Sequence, residues 1–192
     1  MTDYDRGFAN LTLDTATTAA QRAVLEHVAG QFGSVPPAAA RMAHSPALFA
    51  AFQAGLAAFE QTSLTPLERE VVVLVLARDI ECDVCVGIHT AIAAGLGERA
   101  LARALVEGRA PTDPKLAALA RFAEDLWARR GDVQRDPWEA FLAAGYTRVQ
   151  ALEIVIGVGT YVTSTFANRL TGAHTRTRIT PDSRSGAAAS VA

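Results

Sequence analysis

Cysteine is almost missing from this sequence. Among 192 residues there are two, Cys82 and Cys85, so no disulfide framework can brace the fold and any thiol chemistry must occur at those positions. An excess of positive charge is missing as well. Lys and Arg number 18 against 20 Asp and Glu, for a net charge of -2 and a pI near 6.1. That balance leaves no electrostatic footprint for nucleic acid, and "TRTR" at 175–178 is too short to supply one. Long apolar runs are also absent. The longest, Val71 to Ala77, falls far short of the ~20 residues that cross a bilayer. The opening "MTDYDRGFAN" is acidic and polar, unlike a secretory leader. These absences predict a cytoplasmic chain with neither a membrane nor a nucleic-acid partner. In that compartment thiols stay reduced unless their work is redox or metal chemistry.

Half of the residues are hydrophobic, alanine is heavily used, and strand-like alternation is scarce. This composition predicts a compact all-α protein, and the length suits one domain. We expect a lead-in over 1–17, one helical domain over 18–172, and a disordered tail over 173–192, where "TPDSRSGAAASVA" is small and polar. Helix signals divide the domain. Val24, Leu25, Val28 and Phe32 form a stripe from Thr18 to Phe32, which Gly33 stops. Pro36 and Pro37 make a turn before a short helix. Ser45 followed by Pro46 caps another, with Leu48, Phe49, Phe52, Leu56 and Phe59 at helical spacing. "VVVLVL" at 71–76 would suit a buried strand, but "TPLE" at 65–68 is a capping box with proline at the first helical position. The expected element is a helix from Pro66 to about Asp79, apolar nearly all round and deeply buried. A helix from about Cys82 to Ala94, closed by Gly95, comes next. After it we expect a short amphipathic helix between glycines, a helix capped by Asp113 and stopped by Gly131, and one opened by Asp136 and Pro137. The last is long and largely buried, weakened by Gly157 and Gly159.

The stretch "ECDVCVGIHT", residues 81–90, holds both cysteines and a histidine. At ~100° per residue, Cys82, Cys85 and His89 fall within about 60° of each other on one helical face. Glu81 and Asp83 look elsewhere. Cysteines one turn apart at a helix start can bring their Cβ atoms together. A helix N-terminus and a neighbouring imidazole favour the thiolate, while the two acidic neighbours oppose it. Three readings stand side by side: two buried thiols beside a satisfied histidine, a zinc site, or a redox dithiol. His27, His44 and His174 are scattered and supply no second ligand pair for zinc.

"LTPLEREVVVLVLARDIECDVCVGIHTAIAAGLGERAL", residues 64–101, resembles the AhpD-like alkylhydroperoxidase branch of the carboxymuconolactone decarboxylase family. That pattern has a glutamate on the buried helix, a C-x-x-C twelve residues on, a histidine four past the second cysteine, and an A-G-L turn. Glu70, Cys82, Cys85, His89 and "AAGLGE" at 93–98 match it. "FGSVPPAAARMAHSPALFAAF" upstream and "FLAAGYTRVQALEIVIGVGTYVTSTFANRL" downstream extend the resemblance over roughly residues 20–170. It implies an AhpD-like helical fold, assembly as a homotrimer or homohexamer, and reduction of hydroperoxides. Cys85 would be the peroxidatic thiolate, Cys82 the resolving thiol, and Glu70 with His89 a proton relay. It implies no cofactor beyond an external dithiol reductant, either a protein or a small thiol. Two departures stand out: Val84 where the family often has an aromatic or a histidine, and the acidic Glu81 and Asp83. The decarboxylating branch lacks the dithiol, so ring-cleavage decarboxylation is not expected.

Structural readings compete with these roles. Glu70 could be a first-turn glutamate complementing the helix dipole. Tyr161, Thr163, Thr165 and Asn168 would satisfy helix or subunit contacts, Trp127 and Trp138 would anchor core or interface, and the 46–60 helix would be core or oligomer seam. The alternative to an enzyme is a non-enzymatic, oligomeric redox-sensing or interaction protein of the same fold.

Overall fold

The computed structural model describes residues 6–173, which form nine α-helices and, among the described residues, no strand. Most of the tail expected over 173–192 lies outside the described residues. The helices group into two compact units, one of residues 6–64 with 146–173 and one of residues 65–145.

The first unit contains α1 (Ala19–Phe32), α2 (Pro37–Met42), α3 (Pro46–Glu60) and α9 (Arg148–Thr171). Thr18 caps α1 with a full capping box, Ser45 caps α3, and Thr147 with Gln150 caps α9, each accepting a backbone N–H in the first turn. Leu25, Val28, Met42 and Phe49 form the core among α1, α2 and α3. Residues ahead of α1 are tied to α2 and its end. Leu11 N–H donates to Ala40 O at 3.3 Å, and Arg41 Nε donates to Asn10 Oδ1 at 2.9 Å. Arg41 also reaches the Thr171 carbonyl at the end of α9.

Two glycines set how closely α3 and α9 approach. A Cβ on Gly55 would stand 2.4 Å from Thr160 Oγ1, and one on Gly157 would stand 2.5 Å from Phe59 Cζ. Gly157, which reads in sequence as a weak point, is therefore the place where the Phe59 ring seats. Phe52 and Phe59 both meet Tyr161 edge-on, at centroid distances of 6.4 and 6.2 Å. One expectation fails here. The helix is not largely buried, because only one side of it turns inward, and Val149, Leu152, Val155, Ile156, Phe166 and Leu170 are exposed. By length and composition alone α9 would qualify to cross a membrane, although the longest uninterrupted apolar run in the sequence would not. It packs along α3, with 39% of its most apolar window buried.

The second unit contains α4 (Pro66–Asp79), α5 (Asp83–Gly95), α6 (Arg99–Val106), α7 (Pro114–Ala128) and α8 (Arg135–Ala143). The helical reading of α4 holds against the strand propensity of its valines. Thr65 and Glu68 close the capping box, and Val71 through Ala77 are buried at every position, with α5, α6 and α7 packed on the helix. Near its end, Arg78 joins three neighbours. Its guanidinium donates to Asp79 Oδ1 at 2.7 Å, to Glu124 Oε1 on α7 at 2.8 Å and to the Leu105 carbonyl on α6 at 3.1 Å. Burial works against its charge, and the two carboxylates outweigh that, so the arginine pKa is raised. Phe122 and Phe141 stack at 4.2 Å with Trp138 beside them, binding α7 to α8.

Two boundaries differ from the sequence reading. Gly95 does not close α5, because it remains helical and Gly97 takes the left-handed turn at φ 86°. Asp136 does not open α8. The helix starts two residues earlier, at Arg135 behind Gln134, whose backbone N–H donates to Asp125 Oδ2 at 2.7 Å.

Candidate active site

The site is built where α4 hands the chain to α5. Ile80 N–H and Cys82 N–H donate to the Leu76 and Ala77 carbonyls, both at 2.9 Å, and so close the end of α4. Between them Glu81 adopts φ 56°, a left-handed conformation usually left to glycine. That reversal makes Cys82 the N-cap of α5, with extended backbone dihedrals. Its Sγ accepts the Cys85 N–H at 3.4 Å, the position that an oxygen occupies in an ordinary N-cap. The Cys82 thiol donates to Cys85 Sγ with the sulfurs 2.6 Å apart, and neither is in a disulfide. A dithiol arranged this way starts oxidation with its sulfurs already in contact.

One turn below Cys85, His89 points at α4. Its Nδ1 lies 2.8 Å from Glu70 Oε2, a contact across 19 residues of sequence. Cys82, Cys85, His89 and Glu70 are 2, 5, 7 and 9% exposed respectively, so all four sit out of bulk water. A carboxylate this deep in apolar surroundings requires a partner, and the imidazole supplies it. Glu70 is thus engaged with a side chain on another helix rather than with the dipole of its own. Glu81 and Asp83 are exposed, turned away from the buried set. The arrangement brings together the groups a redox dithiol uses: two sulfurs in contact and, one turn along α5, an imidazole held by a carboxylate from α4. Among the described residues no group of three or more His, Cys, Asp or Glu is arranged to hold a metal ion, so the zinc reading finds no ligand set there.

Two residues read in sequence for other reasons have further roles in the structure. Glu81, read only for its charge, makes the left-handed turn, which nothing in a glutamate announces. Glu68, two residues before Glu70, is equally buried but faces elsewhere. Its carboxylate accepts the Thr65 N–H at 2.8 Å and pairs with Lys115 Nζ at 2.9 Å. The capping box gave away its first contact, whereas the second depends on α7.

No protein-family model matches the chain, and no curated protein does. Solved structures do match. One, described as an alkylhydroperoxidase AhpD core and an uncharacterized peroxidase-related protein from Ralstonia eutropha JMP134, is 25% identical. It superposes over 86% of this chain and 89% of that one with a TM-score of 0.73. Another, an uncharacterized peroxidase-related protein from Silicibacter sp. TM1040, is 21% identical over 90% and 93%, with a TM-score of 0.71. The chain therefore carries the AhpD-like all-α fold, which it shares with peroxidase-related proteins.

Proposed function

We propose that this protein is a thiol-dependent peroxidase that reduces hydroperoxides through the Cys82–Cys85 dithiol. The observation that carries this reading is the buried set itself: two sulfurs in contact and an imidazole one turn away, held by a carboxylate from the preceding helix. The names of the structural neighbours favour the same chemistry.

Cys85 is the peroxidatic residue. As a residue it is 5% exposed against 2% for Cys82, and it stands one turn from His89. As thiolate it attacks one oxygen of the peroxide, the O–O bond breaks, and Cys85 becomes a sulfenic acid. The departing alkoxide takes a proton from the His89–Glu70 relay and leaves as an alcohol. The Cys82 sulfur then attacks the Cys85 sulfur and water leaves, giving an intramolecular disulfide before a second peroxide can over-oxidise the sulfenic acid. An external dithiol, a protein or a small thiol of the cytoplasm, supplies two electrons and two protons to restore both thiols. The reductant attacks Cys85, and Cys82 leaves as a thiolate, which the Cys85 N–H and the helix N-terminus stabilise.

The decisive measurement is peroxide consumption under excess dithiol by the wild type and by Cys85→Ser. Turnover well beyond one equivalent by the wild type, lost in the variant, is expected. Equal rates would remove the reading. Consumption that stops at one equivalent would leave a redox sensor in its place. Thiol counting after one equivalent of peroxide should show two thiols lost per chain without intermolecular links.

A further inference from the structure

Helix α9 wears its polarity inside out. Toward the protein it presents Thr160, Tyr161, Ser164, Thr165, Asn168 and Thr171, all buried. Outward it presents Val149, Leu152, Val155, Ile156, Phe166 and Leu170, between 38 and 72% exposed. At ~100° per residue those six, with Gly159 and Thr163, occupy an arc about 120° wide that contains no charged residue from Val149 to Leu170. Glu153 and Arg169 fall outside it, on opposite flanks. A surface helix ordinarily turns its apolar side to the core, and a continuous exposed apolar strip marks an interaction site.

We propose that this outward face is a self-association surface, on which a second copy of the chain lays its own α9 in antiparallel register. The area suits that occupant. Six large apolar side chains about half exposed offer on the order of 500 Å² per copy, so a pair removes about 1,000 Å², where specific interfaces begin. The strip runs for about 32 Å of helix. Bulky residues lie at both ends, and Gly159 and Thr163 lie near its middle. A Cβ added to Gly159 would meet nothing within 4 Å, which leaves room for a close helix crossing. The Thr163 hydroxyl donates to the Gly159 carbonyl at 2.8 Å, so burying it strands no donor. Antiparallel register sets Val149 against Leu170, and Ile156 against Thr163, of the other copy. It also opposes the helix dipoles. Parallel register would instead place Arg148 and Arg169 against themselves.

A lipid surface fits the strip less well. Helices that lie on membranes pair the apolar face with a Lys- and Arg-rich one, whereas the other face of α9 packs on α3. A crossing helix would carry the polar residues of its inward face into hydrocarbon. An isologous contact of this kind requires an even-numbered assembly, which separates a hexamer from a bare trimer.

The test is the mass of the full-length chain in solution, by sedimentation equilibrium, for the wild type and for Leu152→Glu combined with Phe166→Glu. An even-numbered wild type whose mass halves in the variant, at unchanged helical content by circular dichroism, is expected. A monomeric wild type, or an unchanged mass in the variant, would overturn the proposal. A second arm needs no disruption of the surface. In a Cys82→Ser, Cys85→Ser background, Ile156→Cys with Thr163→Cys in one chain should oxidise to covalent dimers, while Ile156→Cys alone should not. Crosslinking by the single variant would overturn the antiparallel register. Flotation of a monomeric wild type with phosphatidylcholine and phosphatidylglycerol vesicles would reassign the strip to lipid.

Discussion

Helices α4 and α9 both bury polar side chains, and they satisfy them in different ways. On α9 the buried hydroxyls of Ser164, Thr165 and Thr171 turn back on their own helix. Ser164 Oγ donates to the Tyr161 carbonyl at 3.2 Å, Thr165 Oγ1 to the same carbonyl at 2.7 Å, and Thr171 Oγ1 to the Ala167 carbonyl at 2.8 Å. On α4 the buried carboxylates reach off the helix, Glu70 to His89 on α5 and Glu68 to Lys115 on α7. A polar group that needs only its own backbone can be replaced at little cost. One that spans two elements fixes their relation, and where its partner stands beside a thiol it can take part in chemistry. The difference lies in where each partner comes from, since burial alone looks the same in both helices.

The sharpest way to break that comparison is at the two α4 carboxylates. Glu70→Gln keeps a hydrogen-bonding group opposite His89 but removes the charge, and should lower peroxide turnover by about 10²-fold or more. Glu68→Gln should leave turnover within about twofold while costing roughly 1–2 kcal/mol of stability through the weakened cap and ion pair. Steady-state kinetics and urea denaturation of both variants read this directly, and equal losses of turnover would erase the distinction. On α9, Gly157→Ala should cost about 1–3 kcal/mol in urea denaturation, because the new methyl meets the Phe59 ring. Thr165→Val should cost less than about 1 kcal/mol, since the Tyr161 carbonyl keeps its place in the helix ladder.

The smallest effect belongs to the surface of the second unit, where Glu107 is exposed between Arg103 and Arg109. Hydrogen bonds from those two guanidinium groups lower its pKa to about 2. A carboxylate depressed in the folded state adds stability above its unfolded pKa of ~4.3, and loses it as the pH falls toward the folded value. The difference in thermal midpoint between wild type and Glu107→Gln should therefore be present at pH 6, shrink through pH 4 to 2, and be reduced by salt at either end.

Much of this architecture could be read from caps. "TPLE" at 65–68 outweighed a run of valines, and Ser45 with Pro46 and Asp113 with Pro114 placed two helix starts as found. What the sequence hid were boundaries decided from elsewhere. The start of α8 depends on an Asp125 carboxylate reaching from α7, and the reversal between α4, whose end was read correctly, and α5 on a left-handed Glu81 where no glycine flags the turn. The stripe of Cys82, Cys85 and His89 could be read from spacing alone. That Glu70 meets His89 could not, because their contact depends on the angle at which α4 and α5 pack, and only the family resemblance suggested it. The exposure of α9 was hidden for the opposite reason: valine, leucine and isoleucine read as core whichever way they face.

Because Cys82 caps the very turn that Cys85 completes, a bond between them would enclose just two intervening residues. So small a ring removes about 2 kcal/mol of freedom from the unfolded chain, less than half of what a hundred-residue loop would. Melting curves of oxidised and reduced protein should therefore lie within several degrees of each other, so that the proposed cycle would leave the scaffold folded in both of its states.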